Sequence, residues 1–294
     1  MSNNSRPSKF KVSTMLGKAA WRTLKLDKHM LMASVLSMLV GAVLFVIFVI
    51  AATFITPVDG LVEYADQPNN PVLVGLLVLF AFISYISANY FSGAIAHAAL
   101  RRFRGEAPTL RNSLQAANQK FIPLAAFGGL QATVGLVLNL LEDRLPFAGK
   151  IATLIAGAAW GIATMFAIPL IMDDKETRPL KVVRSSAKTF TQVWGESVFI
   201  GLGLGLIQIA FMLFMIFVLL GGVLLSAIYS IWIFGIIGGA LFVLGIMIAG
   251  IVFSTLQTIL MTAAYYYAST GKLPTGFDNE LLRAMFRPKK AWLK

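Results

Sequence analysis

The sequence predicts an all-α polytopic membrane protein with six transmembrane helices. Three features predict this class: long apolar runs, basic segments that alternate with them, and a mean hydropathy of +0.77 over 294 residues. A bilayer core about 30 Å thick requires about 20 apolar residues of helix, so each long run is a candidate span. The predicted spans are about 31–56, 71–98, 121–141, 147–172, 197–224 and 231–268.

The positions of Lys and Arg predict the orientation of these spans. Of 25 basic residues, 23 lie in the segments 1–30, 99–120, 173–196 and 269–294. Basic residues are retained on the cytoplasmic side of a bilayer. We therefore expect both termini to be cytoplasmic, with 1–30 as a basic amphipathic arm, 31–268 as the membrane domain and 269–294 as a basic tail.

No charged residue occurs between Ser197 and Gly271, a stretch that could form two long spans or three short ones. Three spans would place the basic tail outside, which the positive-inside rule opposes. We therefore predict two spans joined near 226–230. The second run is about 38 residues long, which exceeds the bilayer thickness. Tilt, a break or a projecting helix end is therefore expected, and the glycines at 235–239 are the expected position of a break.

A proline follows each even-numbered span, at Pro108, Pro179 and Pro274. Proline is favoured at the first position of a helix, so each is expected to open a short cytoplasmic interfacial helix. The pattern favours a unit used three times, an interfacial helix followed by a two-span hairpin. Chance similarity among apolar sequences is the alternative.

Basic residues lie on one side of two predicted amphipathic helices, one in the arm and one after Pro179. Leu180, Val183, Ala187 and Phe190 lie opposite the basic side of the second helix. Such helices lie in the headgroup plane, so anionic lipid, rather than nucleic acid, explains the net charge of +12. The predicted headgroup-binding residues are Lys11, Lys18, Arg22, Lys25, Lys181, Arg184 and Lys188.

Polar residues inside the predicted spans have two interpretations. They form hydrogen bonds between helices, or they line a polar path through the bundle. The candidates for such a path are Asn89, His97, Gln131, Gln208 and Gln257. Small residues at a spacing of four, such as Gly235 and Gly239, predict close helix packing, within the monomer or at a homo-oligomer seam.

The sequence contains no recognisable catalytic or metal-binding motif. It has no Cys, its two His residues are isolated, and it lacks a phosphate-binding glycine loop and a nucleophile elbow. We therefore expect no enzymatic activity, no cofactor and no metal. The acidic cluster 173–176 is interpreted as a solvated loop, with a cation site as the alternative.

Three features carry a family resemblance: the tyrosines at 265–267, Thr-Gly-Lys-Leu-Pro at 270–274, and Arg-Ser-Ser-Ala-Lys-Thr-Phe at 184–190. Together they resemble an uncharacterised family of bacterial six-span integral membrane proteins. That family is distantly similar to the membrane domain of glycerophosphodiester phosphodiesterases. The resemblance implies a bacterial cytoplasmic (inner) membrane protein, and it implies no catalytic residues.

These features favour a non-enzymatic integral membrane protein that engages anionic lipid or a membrane partner. The alternative is a carrier or lipid-translocating transporter that uses the centre of the bundle. A continuous polar cavity would favour the transporter, whereas a dry, tightly packed centre would favour the first hypothesis.

The topology prediction can be tested with single cysteines, because the chain has none of its own. We expect cysteines in 101–119, 174–195 and 272–294 to be labelled only from the cytoplasmic side. Cysteines in 58–69 and 142–149 should react from the opposite side. An externally labelled C-terminus would contradict the six-span topology and support three spans within 197–271.

Overall fold

The computed structural model describes residues 21–25, 27–55, 71–192, 197–272 and 274. Within these residues every regular element is an α-helix. Residues 21–25 form an N-terminal helical segment. The helices that follow are α1 (Lys28–Ile55), α2 (Pro71–Phe103), α3 (Leu110–Gln119), α4 (Phe121–Arg144), α5 (Phe147–Thr164), α6 (Ala167–Met172), α7 (Pro179–Gln192), α8 (Ser197–Tyr229) and α9 (Ile233–Thr270).

The described residues contain six helical stretches that are long and apolar enough to cross a membrane, which confirms the predicted number of spans. The fourth stretch combines α5 and α6. The six stretches are Lys28–Phe54, Pro71–Phe103, Phe121–Glu142, Phe147–Met172, Ile207–Tyr229 and Ile233–Thr270.

The fourth span is interrupted between α5 and α6, where the chain turns at residues 165 and 166. Pro169 lacks an N–H, and its ring is incompatible with a regular helical carbonyl at Met165. The N–H of Phe166 donates a hydrogen bond to Ser186 Oγ of α7, at 3.0 Å. A side chain from a neighbouring helix therefore stabilises the turn that the proline favours.

The sixth span is a continuous helix, so the predicted break at 235–239 is wrong. α8 and α9 join between Tyr229 and Ile233, next to the predicted joint. Gly238 instead allows close contact, whereas Gly239 of the predicted spacing-four pair faces open space. A Cβ on Gly222 of α8 would lie 2.8 Å from the Cα of Gly238 in α9. Without side chains at these two positions the helix backbones approach each other directly.

α2 is the central helix, packing against α1, α3, α4, α6 and α9, whereas α8 packs mainly against α9. α4 packs more extensively on α2 than on α5, so the contacts do not single out three equivalent hairpins, and the threefold repeat stays a prediction. The helix predicted after Pro108 begins two residues later, at Leu110, with Thr109 Oγ1 accepting the Asn112 N–H. The segment expected after Pro274 lies outside the described residues.

Buried side chains concentrate at one end of the bundle, which we call the basic end. It comprises the start of α1, the end of α2, α3, the start of α4, α6, α7 and the end of α9. Large side chains there, including Phe127, Phe166 and Tyr265, are at most 1% exposed. Elsewhere many large apolar side chains are exposed, such as Phe54 and Phe217. Lipid acyl chains solvate such side chains, so this distribution fits a multi-pass membrane protein.

Two adjacent glycines of α8 give a matched test of the contact with α9. Gly222→Ala places a methyl group against the backbone of α9, so we expect destabilisation of about 1–3 kcal/mol. Gly221 faces open space, and Gly221→Ala should be neutral or stabilising by up to about 1 kcal/mol. Thermal unfolding in detergent measures both variants. Equal effects would show that the glycine contact contributes nothing.

Candidate functional site

An ion pair holds the first two spans together at the basic end. Asp27, directly before α1, accepts hydrogen bonds from Nε and Nη2 of Arg102, near the end of α2. The Asp27 residue is only 4% exposed. A buried carboxylate requires such a partner, because desolvation of an unpaired charge costs several kcal/mol. The start of α1 is therefore fixed relative to α2.

Two further acids follow α6 and bind basic residues of neighbouring elements. Asp173 accepts from Arg104 and from the O–H of Tyr265, the latter at 2.9 Å. Asp174 pairs with Lys120 at the start of α4. The sequence interpretation of 173–176 as a solvated loop is therefore wrong for Asp173, whose side chain is only 10% exposed, whereas Asp174 is exposed as expected. No group of three or more potential metal ligands occurs within the described residues.

Glu176 caps the start of α7. Its carboxylate accepts the N–H groups of Arg178 and Thr177 at 3.2 and 3.1 Å. These bonds, above all the one from Arg178, hold the pKa of this exposed carboxyl below its ordinary value. A depressed pKa stabilises the ionised form, so the cap is present near neutral pH and is lost as pH falls through the folded-state pKa.

α7 presents one face to the protein and a basic face outward. Val182, Ser186 and Phe190 are buried against the bundle, as a spacing of four residues along a helix requires. Of the four apolar residues predicted to dock into the bilayer, Phe190 is therefore buried in the protein, whereas Leu180 is 74% exposed. The three predicted headgroup-binding residues of α7, Lys181, Arg184 and Lys188, are exposed.

The remaining headgroup-binding candidates lie at the N-terminal side. Arg22 and Lys25 are exposed on the N-terminal helical segment. Lys11 and Lys18 lie outside the described residues. In the described part of the chain, none of the ion pairs uses a residue from this predicted set. The described aspartates at the basic end thus pair with cations outside this predicted set.

The predicted polar path is not continuous in the described bundle. Asn89 Nδ2 donates to Gln131 Oε1 at 2.7 Å, which brings two of its members together between α2 and α4. His97 lies two turns further along α2, and its buried Nδ1 has no hydrogen-bond partner. Gln208 and Gln257 are exposed on α8 and α9, apart from this pair.

The contact between α2 and α4 is tight around the polar pair. A Cβ on Gly128 would lie 3.0 Å from both Asn89 Nδ2 and the Cα of Ile86. Next to this contact, the end of α2 packs through the fully buried small residues Ala94, Ala96 and Ala99. The centre of the bundle at the basic end is therefore closely packed.

Sequence reasoning missed a mostly apolar cavity of about 310 Å³ between α1, α2 and α9, to which five hydroxyl-bearing side chains contribute. The hydroxyls of Ser254 and Thr258 donate to carbonyls of their own helix. Ser34 Oγ lies 2.5 Å from Thr255 Oγ1, which joins α1 to α9. The spacing of the serines in α1 indicates a shared face but does not reveal which helices meet there. The hydroxyl-bearing residues that line the cavity are Ser34, Ser37, Ser92, Ser254 and Thr258.

The all-helical fold and its six candidate spans define a multi-pass membrane protein. The chain belongs to DUF6159, a family of unknown function, whose sequence profile matches residues 72–277. The match includes α7 and most of the basic end. No match was found among curated proteins or among solved structures. The distant similarity to the phosphodiesterase membrane domain therefore stays a prediction.

Two neighbouring arginines provide a matched test of the ion pair that anchors α1. Arg102→Gln leaves the carboxylate of Asp27 buried without a cation, so we expect destabilisation of about 3 kcal/mol. Arg101 pairs with Glu106, but both side chains are more than 40% exposed. We therefore expect Arg101→Gln to cost less than about 1 kcal/mol. Denaturant unfolding in micelles measures the difference, and equal losses would contradict the anchoring role.

Proposed function

We propose that this protein is a non-enzymatic integral membrane protein that binds anionic lipid at its basic end. The observation that carries the proposal is the outward face of α7, where Lys181, Arg184 and Lys188 are exposed beside the exposed side chain of Leu180. Cations at headgroup level attract anionic lipid by about 1 kcal/mol per residue. A neighbouring apolar side chain inserts into the acyl boundary.

The packing of α7 supports a fixed rather than a diffuse site. Ser186 binds the turn between α5 and α6, and Phe190 is buried, so the basic face is held at a defined height relative to the spans. The basic end faces the cytoplasm in this proposal, because basic residues are retained there. A bacterial inner membrane, whose cytoplasmic leaflet contains anionic lipid, is the proposed location.

A membrane-protein partner or a second copy of this chain is the other proposed occupant of exposed surfaces. The alternative function is a carrier or lipid-translocating transporter. The cavity between α1, α2 and α9, rather than the predicted polar path, supports this alternative. The cavity is also lined by apolar residues such as Phe91 and Ile95, and two of its hydroxyls already donate to their own helix. These features make lipid binding the better-supported proposal.

Lipid selectivity can be tested with two charge-matched variants of the full chain. Arg184→Gln with Lys188→Gln removes two cations from α7, and Arg144→Gln with Lys150→Gln removes two exposed cations from the opposite end. Native mass spectrometry after incubation with phosphatidylglycerol and phosphatidylcholine of identical chains measures the preference. We expect the preference for phosphatidylglycerol over phosphatidylcholine to fall about tenfold in the first variant and to stay unchanged in the second.

The preference should also weaken as salt rises, because exposed charges are screened over about 8–10 Å near physiological ionic strength. Equal retention of both lipids by the unmodified protein would reject the proposed function. In that case the basic residues of α7 would act as topology determinants only.

A further inference from the structure

A groove lies at the elbow between the N-terminal helical segment and α1. Seven residues line this cavity of about 390 Å³, which falls in the size range of ligand sites. The lining surface is apolar, and Lys25 and Lys28 contribute the aliphatic stems of their side chains to it. The lining residues are Trp21, Leu24, Lys25, Lys28, Leu31, Met32 and Val35.

The inner side of the elbow is anchored in the protein. Leu24 and Met30 are each 1% exposed, and both belong to the hydrophobic core. The Asp27 N–H donates to the carbonyl of Thr23, and the Asp27 carbonyl accepts the N–H of Met30, both at 3.1 Å. Backbone hydrogen bonds and core packing therefore fix the angle between the N-terminal helical segment and α1. The elbow groove lies on the outer side of this angle.

Within the described residues, no ion pair neutralises the two lysines beside the elbow groove. Asp27 is the acid nearest in sequence to Lys25 and Lys28, and both of its carboxylate oxygens bind Arg102. None of the ion pairs within the described residues involves either lysine, and both are exposed. Two lysines thus lie beside the groove without an ion-pair partner in the described part of the chain.

The apolar lining extends from the two lysines along α1. From Lys28 to Val35 a helix rises about 10 Å, which matches the depth to which interfacial apolar groups enter a bilayer. Met32 is 50% exposed and Val35 37%, so both are available to an acyl chain. Trp21, which is 41% exposed, has the amphipathic ring that is enriched at membrane interfaces.

We propose that the elbow groove binds one anionic phospholipid, with its phosphate between Lys25 and Lys28 and an acyl chain along Leu31, Met32 and Val35. Two cations above an apolar channel complement such a lipid and fit a free phosphate poorly. This inference deepens the proposed function, because it adds a defined lipid site that is separate from the basic face of α7.

The test uses the full chain and two variants with the same change in charge. Lys25→Gln with Lys28→Gln removes the two cations beside the elbow groove, and Lys181→Gln with Lys188→Gln removes two cations from α7. Titration of each protein with phosphatidylglycerol, followed by native mass spectrometry, resolves the first bound lipid from later ones. We expect only the elbow variant to lose affinity for the first lipid, by about tenfold.

A third variant separates the lipid from a free phosphate. Met32→Ala with Val35→Ala shortens the apolar wall, so affinity should fall for phosphatidylglycerol and phosphatidylcholine alike while their ratio is kept. Inorganic phosphate and glycerol phosphate should not displace the bound lipid. Displacement by either of them would overturn the proposal in favour of a phosphate site.

Other outcomes also decide against the elbow site. Equal loss in both charge variants would show a diffuse attraction, which rejects this site but leaves the proposed function standing. An unchanged first affinity in the elbow variant would reject the site outright. A change in oligomeric state in place of lipid loss would assign the groove to a second copy of the chain. Unfolding temperatures serve as the folding control, since neither exposed lysine is paired.

Discussion

The ion pair between Asp27 and Arg102 is the constraint on which the basic end depends. A carboxylate at the start of the first span can be buried only where a guanidinium meets both of its oxygens. The pair therefore sets the position of α1 against α2, the helix that most others contact. Asp173 and Asp174 extend the same arrangement to α4, α6 and α9. Packing of small residues around these pairs then completes a rigid layer.

The two ends of the spans follow different rules of solvation. At the basic end, interior packing and paired charges hold the helices together. Along the rest of the spans, large apolar side chains face outward, where acyl chains rather than protein atoms surround them. The close glycine contact between α8 and α9 is the kind of association that this setting permits, because apolar burial alone contributes little between helices in lipid.

The membrane class and the number of spans could be predicted, because length and hydropathy are local properties. The pairing of Asp173 and Asp174 could not, since their partners are distant in sequence. The exposed positions of Gln208 and Gln257 could not be predicted for a related reason. Their helices are apolar on every side, so no periodicity indicates which face is inward. Pro169 was visible in the sequence, but the turn before it also needed Ser186, from a helix beyond the next loop.

The charged residues at the basic end fall into two groups, those that pair within the protein and those that are exposed on its surface. The acids Asp27, Asp173 and Asp174 bind arginine or lysine near the ends of spans, and Glu176 binds backbone N–H groups. Within the described residues, the three aspartates are therefore paired with cations other than those of α7 and of the elbow. The cations of α7 and of the elbow lie on elements that the core holds in place. The same pairs that stabilise the bundle thus leave these cations without an ion-pair partner in the described part of the chain.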